Sequence, residues 1–152
     1  MDKPASLQLV AGLKDLAEIR HFVEEEATAL DVEPSAIYDI NLAVTEMVTN
    51  IIVHGYRGQP GRVEIEVGRE GDSVVIRLRD QAPVFDPTQV PPPNLELPPE
   101  ERPLGGLGVF LTKHFMDRMS HRITASQGNE LTLVKKNIIM NSDQEEEHAN
   151  QC

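Results

Sequence analysis

Residues 45–55 read TEMVTNIIVHG, and the fold turns on how this stretch is taken. Its apolar members continue a stripe begun upstream. Ile37, Ile40, Ala43, Val44, Met47, Val48 and Ile51 recur at spacings of three and four, which describes one amphipathic helix. It starts with Pro34 in an early helical position and runs to about Val53, where HGYRGQPG stops it with glycine and proline. Glu46, Asn50 and His54 fall at i, i+4 and i+8. With a rise of ~5.4 Å per turn, all three line one side of the helix and can address a single ligand. The same spacing also describes an ordinary solvated face, so the flanking sequence must decide.

Upstream, residues 5–11 (ASLQLVA) alternate as a short strand, with Leu7 and Leu9 on one face. A first helix from Leu13 to about Leu30 carries Leu13, Leu16, Ile19, Phe22, Val23 and Ala27 on its apolar face and Asp15, Glu18, Arg20 and Glu24 to Glu26 on the other. Downstream, RVEIEVGRE and SVVIRLRD alternate about Gly71-Asp72, a hairpin in which Val63, Ile65 and Val67 face inward. Residues 81–104 hold eight of the eleven prolines, and a loop of this length in a small domain is a lid, binding loop or linker. Gly105, Gly106 and Gly108 open a helix over VFLTKHFMDRM. Two last strands, HRITAS and ELTLVKK, meet at a Gln127-Gly128-Asn129 turn. The order predicts an α+β two-layer sandwich, a mixed sheet with helices on one face. Residues 1–140 form the domain, and the acidic tail 141–152 is expected to be disordered.

Bulk composition narrows the function classes. A chain of 152 residues carries one core. A net charge of −11 argues against direct nucleic-acid binding, which needs clustered Lys and Arg. The lone Cys152 makes no intrachain disulfide. No signal-like apolar core begins the chain, and no stretch is expected to supply the ~20 apolar residues of a membrane span. The expected location is cytoplasmic, without a membrane.

Three further features can carry chemistry. Asp80 ends a strand, where its carboxylate can accept a hydrogen bond from an exocyclic amine such as that of adenine. Gly105-Gly106-Leu107-Gly108 leads directly into a helix, so freed backbone amides and the positive end of the dipole can face an anion. No Gly-Lys-Ser/Thr follows, as a Walker loop would require. A single amide oxygen such as that of Asn50 suits Mg²⁺, which keeps water and phosphate ligands. Glu46, one turn away, suits a general base in phosphoryl transfer.

Taken together, EMVTNIIVHGY, RDQAPVFDP, GGLGVFLTKHFMD and GNELTLVKK resemble the Bergerat-fold ATPases, the superfamily of gyrase, histidine kinases and heat-shock chaperones. Within it the chain looks like the anti-sigma-factor serine kinases, from about Leu7 to Lys136. The resemblance implies that ATP and Mg²⁺ are cofactors, with Glu46 as general base and Asn50 as magnesium ligand. It implies that Asp80 reads the adenine amino group and that Gly105, Gly106, Leu107 and Gly108 cradle the phosphates. His54 and Ala82 would belong to the nucleotide site, Thr132 to its adenine end, and Arg102 to the terminal phosphate. Where the family commonly has Asp-x-Gly-x-Gly, this chain has Asp80-Gln81-Ala82-Pro83-Val84, and Pro83 removes an amide donor.

The implied activity is transfer of a phosphoryl group from ATP to a serine of an antagonist protein, coupled to sequestration of a sigma factor. The implied partners are that sigma factor, met around Arg20 of the first helix, the antagonist, and a second copy in a homodimer. A non-catalytic switch that binds ATP and a partner is the alternative reading.

Overall fold

The computed structural model describes residues 3–101 and 106–140. Strand β1 (Ala5–Ala11) leads through a 3-10 turn (Leu13–Asp15) into α1 (Leu16–Ala29) and α2 (Pro34–Asn50). A π-helical turn (Ile51–Gly55) extends α2 before β2 (Gly61–Glu70) and β3 (Ser73–Asp80). The proline-rich loop carries two 3-10 turns, Pro87–Gln89 and Pro99–Glu101. Then come α3 (Gly106–Phe115), β4 (Arg118–Ile123) and β5 (Asn129–Lys135). The expected tail 141–152 lies outside the described residues.

The five strands stand in the order β1-β2-β3-β5-β4, and every neighbouring pair is antiparallel. The two-layer sandwich is as expected, but the sheet is not mixed. β4 runs in the direction of β3, yet β5 lies between them and opposes both. Two boundaries also differ from expectation. The third helix stops at Phe115, and Arg118 and Met119 instead open β4, opposite Val134 and Leu133. Asn129 is the first residue of β5, not part of the turn. Cross-strand pairing outweighs helical periodicity at the first place and turn propensity at the second.

The helices cover one face of the sheet. Ile19 and Val23 of α1, with Ile40, Val44, Met47 and Val48 of α2, are buried against Val63, Ile65, Ile76, Leu78 and Leu133 of the strands. Each such side chain contributes ~1.5–3 kcal/mol of burial. Pro34–Gly55, 22 residues with a mean hydropathy of 1.3, is long and apolar enough to cross a membrane, contrary to expectation. Its stripe is instead a wall of this core.

The opposite face of the sheet carries a polar row. Arg122, Glu130, Arg79, Glu64 and Gln8 sit directly opposite one another across all five strands. Arg122 Nη2 donates to Glu130 (3.1 Å), Arg79 donates to Glu130 and Glu64 (2.7 Å each), and Gln8 donates to Glu64 (3.1 Å). Arg79 also pairs with Glu66. Burial works against the charged form of Glu130, but the hydrogen bonds from Arg122 and Arg79 outweigh it and hold its carboxyl below the usual range.

Candidate functional site

A cleft of about 620 Å³ opens between the C-terminal end of α2, the end of β3 and the start of β5. The geometry of α2 explains its first wall. Met47, Asn50, Ile51 and His54 fall on one helical face, and the π-helical turn, closed by the Tyr56 N–H on Ile51 O (2.8 Å), also brings Val53 to the cleft. Such turns insert an extra residue and are frequent at functional sites. The side chains of Glu46, Asn50 and His54 make no hydrogen bond to a described residue, so their polar atoms are available.

Asp80 forms the floor. It is 5% exposed, and its Oδ1 accepts from Ala82 N and from Asn129 Nδ2, both at 2.9 Å. Oδ2 accepts from no described residue. Burial pushes the Asp80 carboxyl above its usual range, against the opposing pull of Asn129, the Ala82 amide and His121. Ala82 also lines the cleft, and a Cβ at Gly55 would stand 2.7 Å from the Ala82 methyl. The methyl that replaces the glycine of the resembled family is therefore seated where residue 55 has no side chain. Tyr56 braces the same corner. Its hydroxyl donates to Arg62 O (2.6 Å) and accepts from Gln81 N (2.8 Å).

Glu46 lies one turn back along α2, outside the cleft walls, where it meets the start of α3. A Cβ at Gly108 would stand 2.6 Å from Glu46 Oε2, so the absent side chain lets the carboxylate reach the first turn of α3. Gly106 and Gly108 are buried there, whereas the Leu107 side chain is exposed. The structure thus gathers Asn50, His54, Asp80 and Ala82 into one cleft, with Glu46 one turn back along α2 against Gly108. Arg102 and Gly105 lie outside the described residues. Thr132 is a correction. It sits opposite Arg77 and Ser120 on the outer face of the sheet, while Leu131 faces the cleft, because successive strand residues point to opposite sides.

Sequence reasoning missed Asn129, His121 and Tyr56. Asn129 is the direct cross-strand partner of Asp80, a pairing visible only once the register of β3 against β5 is known. His121 reaches the cleft from β4, with Nε2 2.8 Å from Asn129 Oδ1. The loop behind them is pinned to α3, since Lys113 Nζ donates to Thr88 O at 3.1 Å. For Asp86, burial is outweighed by hydrogen bonds from Thr88 and by the charges of His121 and Lys113, which hold its carboxyl below the usual range.

This combination of helix, strand-end aspartate and glycine-opened helix has a match among known families. Residues 9–135 match the histidine kinase-like ATPase domain. The chain belongs to that family. As a histidine kinase-like ATPase domain it is similar to the anti-sigma F factor of Thermoanaerobacter sp. (strain X514), with 30% identity covering 82% of this chain and 85% of that one. It is 34% identical to the anti-sigma F factor of Pasteuria penetrans over 70% of this chain and 73% of the other. It is 29% identical to the serine-protein kinase RsbW of Bacillus cereus (strain Q1), covering 73% and 72%. The fold is shared with part of a Mycobacterium tuberculosis chain that holds RsbU and RsbW domains (TM-score 0.60, 16% identity, 88% of this chain and 32% of that one).

Proposed function

We propose that this histidine kinase-like ATPase domain is an ATP-dependent protein serine kinase and anti-sigma factor. In this reading it phosphorylates a serine of an antagonist protein and sequesters a sigma factor. The observation that carries the proposal is the contact of Glu46 with Gly108. It sets a carboxylate without a described hydrogen-bond partner at the opening of α3, one helical turn from Asn50, at the edge of a cleft floored by Asp80.

The residues present suit ATP and magnesium. The free Oδ2 of Asp80 can accept from the adenine amino group, and the apolar walls of Met47, Ile51 and Leu131 suit the ring. Among the described residues no cluster of three His, Cys, Asp or Glu side chains could hold a metal. A magnesium ion would therefore rely on Asn50 with water and phosphate oxygens, its common habit. When bound, Mg·ATP supplies the phosphoryl group and the neutralising charge.

The chain's own residues position the reaction. The backbone amides at Gly106, Leu107 and Gly108 would hold the phosphates, aided by the α3 dipole, while Gly105 and, for the terminal phosphate, Arg102 are assigned by the resemblance alone. Glu46 takes the proton of the acceptor serine as its Oγ bonds to the terminal phosphorus and the bond to the ADP oxygen breaks. The names of the relatives support a sigma factor and its antagonist as partners. A homodimer working in the cytoplasm completes the proposal.

Incubation with labelled ATP and candidate antagonists tests it. Label should move to serine, and Glu46→Ala should cut transfer by roughly 100-fold or more, the usual scale of general-base catalysis, while ATP affinity holds. ATP binding without transfer would replace the kinase with the non-catalytic switch. Equal loss of binding and transfer in Glu46→Ala would remove the base role.

A further inference from the structure

Between Asp80 and Phe85 the chain makes a turn with Pro83 in its middle, so one amide donor is missing where the segment leaves the sheet. A single side chain answers most of what remains. Asn129 Nδ2 donates to Asp80 Oδ1 (2.9 Å) and to the carbonyls of Ala82 (3.2 Å) and Pro83 (3.3 Å). Its Oδ1 accepts from Phe85 N (3.0 Å).

These partners fix the amide's orientation. A flip would set oxygen against oxygen at Asp80, Ala82 and Pro83, and N–H against N–H at Phe85. His121 Nε2, 2.8 Å from the same Oδ1, must then be the donor. That donor role is set by the Asn129 oxygen, which can only accept. Its side chain is 5% exposed, and Nδ1 faces Asp86 Oδ2 at 4.0 Å. Asp86 is held in turn by Thr88, whose amide (2.9 Å) and hydroxyl (2.6 Å) both donate to Oδ1.

We infer that His121 is a positioning residue for adenine recognition: acting through Asn129, it holds Asp80 and the 82–85 segment so that Asp80 Oδ2 faces the purine edge. The inference rests on the ATP reading of this cleft and adds a specificity determinant on the edge strand β4. In place of glycines that let the backbone turn freely, this chain uses a His-Asn clamp to set a stiff turn. The discrimination affected is between a purine with a 6-amino group, which donates to Asp80, and one with a 6-oxo group, which offers an acceptor to a carboxylate.

The test compares binding of ATP and inosine triphosphate by titration calorimetry for the full chain and three variants. His121→Leu and His121→Ala remove the donor. His121→Gln keeps one, because its terminal amide can occupy the place of Nε2. Loss of one buried hydrogen bond should weaken ATP binding about tenfold. Inosine triphosphate binding should stay nearly constant, so the preference for ATP narrows by the same factor. His121→Gln should recover most of it.

A parallel loss for both nucleotides would mark His121 as merely structural and overturn the inference, as would an unchanged preference in whichever of the Leu and Ala variants folds. Those results leave the ATP reading standing. A wild-type chain that binds neither nucleotide sinks that reading, and this inference with it.

Discussion

Replacing Asp80 with asparagine separates what the carboxylate does for binding from what it costs the fold. The introduced side chain would keep an oxygen in the place of Oδ1, which accepts from the Ala82 amide and Asn129 Nδ2 at 2.9 Å each, because the main-chain amide can only donate. The amide nitrogen then stands where Oδ2 was, and the adenine amino group meets a donor. A hydrogen bond to a charged group contributes ~1.5–3 kcal/mol, so ATP should bind roughly 10- to 100-fold more weakly.

Stability should move the other way. Burial raises the folded-state pKa of Asp80 above its usual 3.8, so the folded chain holds the proton more tightly than the unfolded one. Wild-type stability therefore falls as pH rises from 3.8 through the raised value, and the variant escapes that loss. Asp80→Asn should match or exceed the wild-type melting temperature at pH 7, with the gap closing as pH is lowered toward 3.8. Titration calorimetry with ATP and thermal melts from acid to neutral pH read both effects. Undiminished ATP affinity would refute the assignment of Oδ2, and a variant several degrees less stable at pH 7 would refute the electrostatic argument.

Three other substitutions probe the surroundings. Gly108→Ala drives a methyl to 2.6 Å from Glu46 Oε2. Serine phosphorylation should fall by roughly 100-fold as the base is displaced, with little change in urea denaturation because alanine favours helix. Gly128→Ala would set a Cβ 2.1 Å from the Asp80 carbonyl oxygen, where neither strand can yield easily. A loss of about 2–3 kcal/mol is expected by the same denaturation. Arg79→Met leaves Glu64, Glu66 and Glu130 facing one another without their shared cation. At partial exposure this should cost about 1–3 kcal/mol, and the deficit should shrink in high salt.

The sequence was most legible where periodicity is local. The alternation of Val63, Ile65 and Val67 announced the β2–β3 hairpin, and the stripe from Ile37 to Ile51 announced α2 with Glu46 and Asn50 along it. What stayed hidden depends on contacts between distant segments. Nothing near Asn129 marks it as the partner of Asp80, 49 residues away, since strand register is set by the whole sheet. Thr132 was misplaced for the same reason: one residue of offset along a strand exchanges the cleft for the opposite side. The π-helical turn leaves the spacing of Asn50 and His54 unchanged on paper and alters only how far the helix unwinds between them. The helix expected as far as Met119 ended early because Asp117 N found the carbonyl of Val134 on β5.

The row from Arg122 to Gln8 has a bearing on assembly. Each charge in it is already answered by its neighbour on the next strand, so a protein approaching along that row meets no uncompensated charge. Docking there would first have to undo bonds the sheet has made with itself.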